Sequence, residues 1–130
     1  KSNTITYILI SCASGRVHHT GYNSKDKLMK IFFGLIHRHY KEHRNLAYYA
    51  DKLCVSTRYL SSVTNIISGC SPKKLIDDYI ILEIKIQLQS TNYTVQEISQ
   101  RLNFSDQSVM GRFFKQQTGL GAMEYRKSLR

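Results

Sequence analysis

Ala50-x-x-Leu53-x-Val55-Ser56 and Ser99-x-x-Leu102-x-Phe104-Ser105 are two copies of one pattern, 49 residues apart. After one inserted residue the offset becomes 50, and Leu60 then matches Met110, Val63 matches Phe113, and Gly69 matches Gly119. Each copy reads as a short helix, a tight turn, a capped second helix and a glycine stop. Ser56 caps the helix read over 57–67, and Ser105 caps the one read to about residue 118. That order is the grammar of a helix-turn-helix.

The chain on either side has helical periodicity. Leu28, Ile31, Phe32, Leu35, Ile36 and His39 mark one apolar face of a first helix beginning after Ser24. Leu46, Tyr49, Ala50 and Leu53 face inward on the second helix, and Leu60, Val63 and Ile67 on the third. Ser71-Pro72 opens a fourth helix over 72–89, with proline where its missing N–H costs nothing. Leu75, Tyr79, Leu82 and Ile86 form one stripe on it; Ile76, Ile80, Ile84 and Leu88 form another, with Ile81 between. A helix apolar on two sides is expected to be buried on two sides, as a connector between small bundles would be. Thr94 and Glu97 form a capping box for the fifth helix, where Val95 and Ile98 start the apolar face. Val109, Met110, Phe113 and Phe114 face inward on the sixth, and Met123 and Tyr125 anchor a seventh. Only residues 1–23 read differently: 4–10 is β-branched and apolar, a short strand needing a partner.

The fold class is therefore all-α: two tandem helix-turn-helix subdomains, homeodomain-like three-helix units, joined by a long connector helix and preceded by a strand-like segment. The expected division is 24–71, connector 72–90 and 91–130. Residues 1–23 read as the remnant or end of an upstream sensor or dimerisation domain.

Composition agrees and excludes much else. The 130 residues carry 19 Lys and Arg against 9 Asp and Glu, a net charge of +10, which favours a polyanionic partner. Residues 1–45 hold 8 of the basic and 2 of the acidic groups, and no block of like charge forms a polybasic tail. Three dispersed cysteines make neither a disulfide framework nor a cysteine zinc knuckle. His39 and His43 stand four apart, but Tyr40, Lys41 and Glu42 between them are not the spacing of a zinc protease. No Gly-rich phosphate loop, nucleophile elbow or paired catalytic carboxylates occur, so no enzyme, metal or cofactor is expected. No apolar run approaches a membrane span.

From about Leu28 to Arg130 the chain resembles the DNA-binding domain of AraC/XylS-type transcription regulators. The resemblance rests on Glu97-Ile98-Ser99-x-x-Leu102-Asn103-Phe104-Ser105-Asp106-Gln107-Ser108, Arg112-Phe113-Phe114-Lys115, Thr118-Gly119 and Glu124-Tyr125-Arg126, with Gly69-Cys70-Ser71-Pro72 in the first copy. Departures are Met110 for a common phenylalanine, Gly121-Ala122 for Ser-Pro, Thr64 for a core aromatic, and Cys54 and Asn103 at turn positions where glycine is frequent.

The resemblance implies two reading helices in successive major grooves of a double-stranded operator. The outward set on the third helix is Thr57, Arg58, Ser61, Ser62 and Asn65; on the sixth it is Asp106, Gln107, Ser108, Gly111, Arg112 and Lys115. Arg can grip guanine O6 and N7 with two bonds, and Gln or Asn can grip adenine. Base-facing places of the family fall on Arg58, Ser61 and Ser62, and on Gln107, Ser108, Gly111 and Arg112. Lys52 and Lys115 suit phosphate, as do Ser56 and Ser105 as helix caps. The serine-rich first set should contribute less base specificity. Implied partners are the operator, RNA polymerase and a second copy through the upstream domain, in a bacterial cytoplasm. The competing reading is an all-helical protein-interaction module docking through the apolar strand and Phe32-Phe33; binding of the basic first helix to an anionic membrane is a third, but its apolar face is needed for the core.

Overall fold

The computed structural model describes residues 24–129, and the strand-like stretch at 4–10 lies outside the described residues. Among the described residues there are seven helices and no strand: α1 (Ser24–His39), α2 (Leu46–Lys52), α3 (Thr57–Ser68), α4 (Pro72–Ser90), α5 (Val95–Arg101), α6 (Gln107–Thr118) and α7 (Ala122–Ser128). The chain divides into two compact units, with the boundary between Asp77 and Asp78 inside α4.

In the first unit α1 packs on α2 and α3, and α2 packs on α3. Phe32, Ile36, Tyr49, Leu60, Val63 and Ile76 are its fully buried large residues. The Tyr49 ring meets Phe32 edge-on, with centroids 5.8 Å apart, and its hydroxyl donates to the His43 carbonyl. Thr64 is completely buried. Its Oγ1 donates to the Leu60 carbonyl at 2.7 Å and lies 3.6 Å from Met29 Sδ. A buried hydroxyl with a partner avoids the cost of an orphan. Thr64 rather than Ile67 carries burial at this end of α3; Ile67, in the last turn before the Gly69 stop, is 39% exposed.

In the second unit α5 packs on α6 and α6 on α7. Ile80, Ile84, Ile98, Leu102, Met110 and Phe114 fill the core. Two expectations fail. Met123 is half-exposed, and the smaller Ala122 is the buried residue at the start of α7. The stripe of Leu75, Tyr79, Leu82 and Ile86 on α4 is only partly covered: Leu75 and Tyr79 are half-buried, but Leu82 is 51% and Ile86 41% exposed, whereas the stripe through Ile76, Ile80, Ile84 and Leu88 is buried. Without serine at its cap, α7 still begins at Gly121, whose N–H donates to Glu124 Oε1 at 2.8 Å.

The two turns are copies in geometry as well as in sequence. Leu53 N donates to Tyr49 O and Leu102 N to Ile98 O; Val55 N donates to Ala50 O and Phe104 N to Ser99 O, all at 2.9–3.0 Å. Cys54 and Asn103 both take the left-handed backbone that glycine favours, with φ of 58° and 64°. Asn bears this conformation well and Cys does not. Replacing the exposed Cys54 by glycine should therefore stabilise the fold by about 0.5–1 kcal/mol, the relieved strain exceeding glycine's added unfolded-state entropy. A higher urea midpoint in Cys54→Gly is the expected result, and an unchanged or lower one refutes it.

Candidate nucleic-acid interface

Each second helix of the repeat starts on a side-chain cap. Ser56 Oγ accepts from Tyr59 N at 3.0 Å and opens α3. In the second copy the cap is Asp106, not Ser105: Asp106 Oδ1 accepts from Val109 N at 3.0 Å. The extra residue of the second turn is Ser105 itself, so the cap moves one place along and Ser56 corresponds to Asp106 at the offset of 50. Both residue types cap well, so composition could not choose between them. The Ser108 hydroxyl also donates to Asp106 Oδ1, at 2.6 Å. The Ser108 and Val109 donors, with the charge of Arg112 behind them, hold the Asp106 carboxyl below the usual aspartate value. The ionised cap thus supports α6 at neutral pH, and its support fades as acidification protonates it.

From these caps the outward sets fall on one face of each helix, at the three- and four-residue spacing that makes helix neighbours. Thr57, Arg58, Ser62 and Asn65 are exposed and Ser61 is half-exposed on α3. Gln107, Ser108, Arg112 and Lys115 are exposed and Gly111 is half-exposed on α6. At the offset of 50, Thr57, Arg58, Ser61, Ser62 and Asn65 correspond to Gln107, Ser108, Gly111, Arg112 and Lys115. The two copies thus place their arginine on different turns, Arg58 in the first turn of α3 and Arg112 in the second of α6. Tyr59, 44% exposed at the same end of α3, corresponds to Val109 at the offset of 50 and flanks this face. Its signal was an aromatic outside the apolar stripe, and periodicity alone passed it over.

Several members are occupied by the fold. Asn65 Nδ2 donates to the Ser61 carbonyl at 2.8 Å, so its amide is turned onto its own helix. Ser108 is spent as a donor on Asp106, which leaves its oxygen as an acceptor. By contrast, no hydrogen bond or ion pair within the described residues engages the side chains of Arg58, Gln107, Arg112 or Lys115. Those groups can turn to a ligand without breaking a hydrogen bond or an ion pair.

Lys52, at the end of α2, lies 5.5 Å from the Tyr48 ring centroid. Tyr48 stacks on His43, with centroids 3.6 Å apart and planes 5° from parallel, and meets His39 edge-on. His39 is held below the usual imidazole value by burial first, then by the nearby Arg38, His43 and Lys52 charges. The histidine pair singled out in the sequence therefore packs around an aromatic ring, and no metal-holding group of three or more ligating residues occurs among the described residues. On α5 and α6, Gln96, Ser99, Gln100, Ser105, Asp106, Gln107 and Ser108 line an open polar hollow of about 430 Å³ at the turn. Exposed Ser105 is thus beside the start of α6 although it does not cap it.

The model of a helix-turn-helix domain family matches residues 49–128 of this sequence, a span that holds both turns and both capped helices. The chain belongs to the AraC/XylS-type helix-turn-helix family. The AraC/XylS-type domain is a sequence-specific DNA-binding domain of transcription regulators, not an enzyme family. Among the solved structures that share its fold are three isolated domains. The DNA-binding domain of AdpA, a global transcriptional factor crystallised with a target DNA, is 20% identical with a TM-score of 0.69, covering 79% of this chain and 92% of its own. The C-terminal domain of AraT, a response regulator from Geobacillus stearothermophilus, is 24% identical with a TM-score of 0.71 over 78% of this chain and 84% of its own. The C-terminal domain of the response regulator yesN from Fusobacterium nucleatum is 21% identical with a TM-score of 0.68 over 75% and 96%. No curated protein matches the sequence. No helix among the described residues is long and apolar enough to cross a membrane.

Proposed function

We propose that α3 and α6 are the two reading helices of this AraC/XylS-type domain, entering successive major-groove segments of a double-stranded operator about 34 Å apart. The observation that carries the reading is the pair of matched helices whose outward long polar side chains are left unengaged by the fold. Arg112 is the guanine-gripping group of α6 and Gln107 its adenine-gripping neighbour. Arg58 does the corresponding work on α3, flanked by Thr57, Ser61, Ser62 and Asn65, whose short or self-bonded side chains reach less far. Ser108 offers an acceptor and Lys115 a charge. Lys52, Ser56 and Ser105 meet phosphates, Ser105 from the turn and not as a cap. The AdpA domain's complex with a target DNA supports the same use of the fold. RNA polymerase and a second copy of the chain complete the proposed partners, in a bacterial cytoplasm. Family membership does not favour the protein-interaction module.

The test is affinity for a duplex selected from a random library and for its scrambled control, followed against salt. The selected duplex should bind at least a thousandfold more tightly, and log affinity should fall linearly with log salt as phosphate counterions are released. Equal, steeply salt-dependent binding to both duplexes leaves only a basic surface and sinks the reading. Lys115→Ala should weaken binding to both duplexes alike and reduce the salt slope by about 1. A loss confined to the selected duplex would instead make Lys115 a base reader.

A further inference from the structure

Gly111 lies in the interior of α6, where glycine weakens a helix relative to alanine through its greater backbone freedom. Gly34 is buried within α1, and three further glycines, Gly69, Gly119 and Gly121, have structural reasons. Gly69 and Gly119 end helices at φ of 77° and 85°, and Gly121 is crowded by Glu124 Oε1, 3.1 Å from where a Cβ would sit. Gly111 has no such reason: its φ is not positive, and a Cβ built there meets nothing within 4 Å. The fold would accept a side chain at this place and gain from it.

Its position in the outward set supplies the reason that packing does not. Gln107 and Ser108 precede Gly111 by four and three residues, and Lys115 follows by four, with Arg112 adjacent. Gly111 is thus a dent in the middle of the face that α6 presents. Its floor is a Cα with backbone groups already used in the helix, so it offers space and no hydrogen bond. A feature that fits must be small, apolar and projecting. In the major groove the thymine C5-methyl group is the apolar projection among donors and acceptors.

We propose that Gly111 is a specificity-determining residue, whose missing side chain seats a thymine methyl between Gln107 and Arg112 and lets α6 sit closer to the groove floor. This rests on the reading of α6 as a recognition helix. The first copy has Ser61 at this place, so the dent belongs to the second copy alone.

The experiment uses the full chain and the selected duplex, with each thymine of the α6 half-site replaced in turn by deoxyuridine, which lacks only the methyl. One such replacement should weaken wild-type binding severalfold. Gly111→Ala should raise Tm by roughly 4–8 °C, yet bind the thymine duplex at least tenfold more weakly and no longer distinguish it from the uridine duplex. Arg112→Ala should lose affinity while still distinguishing the two. Full affinity in Gly111→Ala, or indifference of the wild type to every replacement, overturns the proposal; if Arg112→Ala still loses affinity, the recognition helix survives it. Failure of the wild type to prefer the selected duplex over a scrambled one overturns the recognition helix and the seat together.

Discussion

Arg126→Ala is expected to destabilise the second unit by about 3–4 kcal/mol, the largest single effect on stability foreseen outside the apolar core. The guanidinium is half-buried and donates three hydrogen bonds to main-chain carbonyls: Nε to Leu88 at 3.0 Å, Nη1 to Tyr93 at 2.6 Å and Nη2 to Thr91 at 3.1 Å. One side chain of α7 thereby satisfies the last turn of α4 and the loop into α5. The Leu88 carbonyl is one that a helix end leaves without an intrahelical partner, and those of Thr91 and Tyr93 belong to the loop. Removing the arginine orphans all three, and hydrogen bonds to a charged donor are the stronger kind. Arg126→Lys should recover less than half of the loss, because an ammonium on a flexible stem cannot span three carbonyls as a planar fork does. Thermal melts followed by circular dichroism are the measurement. An alanine variant melting within 2 °C of the parent would show that water replaces the guanidinium without cost. The same residue closes the Glu124-Tyr125-Arg126 motif, whose tyrosine meets Phe114 edge-on with centroids 5.6 Å apart. That end of the motif is scaffold for α6, not part of its reading face.

Arg112→Ala is expected to cost the selected duplex tenfold to about a hundredfold in affinity, the worth of one bidentate contact to guanine, and to relax specificity at one position. Arg112 is exposed and hydrogen-bonded to nothing in the fold, so the melting temperature should barely change. Arg112→Lys should keep the attraction to phosphate and lose the base discrimination, since the fork is what reads O6 and N7 together. Arg58→Ala should cost less. Its helix surrounds it with Thr57, Ser61, Ser62 and an Asn65 whose amide is bonded to its own backbone, so fewer contacts reinforce its register. Competition binding with single-position duplex variants measures both. Equal losses for Arg58 and Arg112 would remove the asymmetry between the two copies.

Most of the fold was legible because its punctuation is chemical. The Thr94–Glu97 box, the Ser56 cap and the glycine stops each satisfy helix-end groups that few other residues satisfy as well, and all are present in the structure. Two kinds of information were not in the pattern. One is choice between equivalents: Ser105 and Asp106 are both good caps, and only the length of the turn decides. The other is coverage: periodicity finds the stripe through Leu82 and Ile86 on α4 but cannot say whether anything lies against it, and in the structure Leu82 and Ile86 are exposed. The outward positions of α3 and α6 were legible from register alone. Their engagement was not, because Ser108 on Asp106 and Asn65 on Ser61 are bonds between residues that each look free in a helical projection. Cys54 shows the reverse case, where the turn imposes its left-handed backbone on a residue that disfavours it.

Two helices of one chain that read one duplex in successive major grooves should leave two separate marks on it. Guanine N7 methylation interference on the selected duplex tests this most directly, because N7 lies in the major groove and its methylation blocks an arginine fork. Two clusters of interfering guanines are expected on one face of the duplex, about one helical turn apart, with the cluster facing α6 lost in Arg112→Ala and the other in Arg58→Ala. A single cluster, or two that both vanish with Arg112→Ala and neither with Arg58→Ala, would contradict reading by two helices.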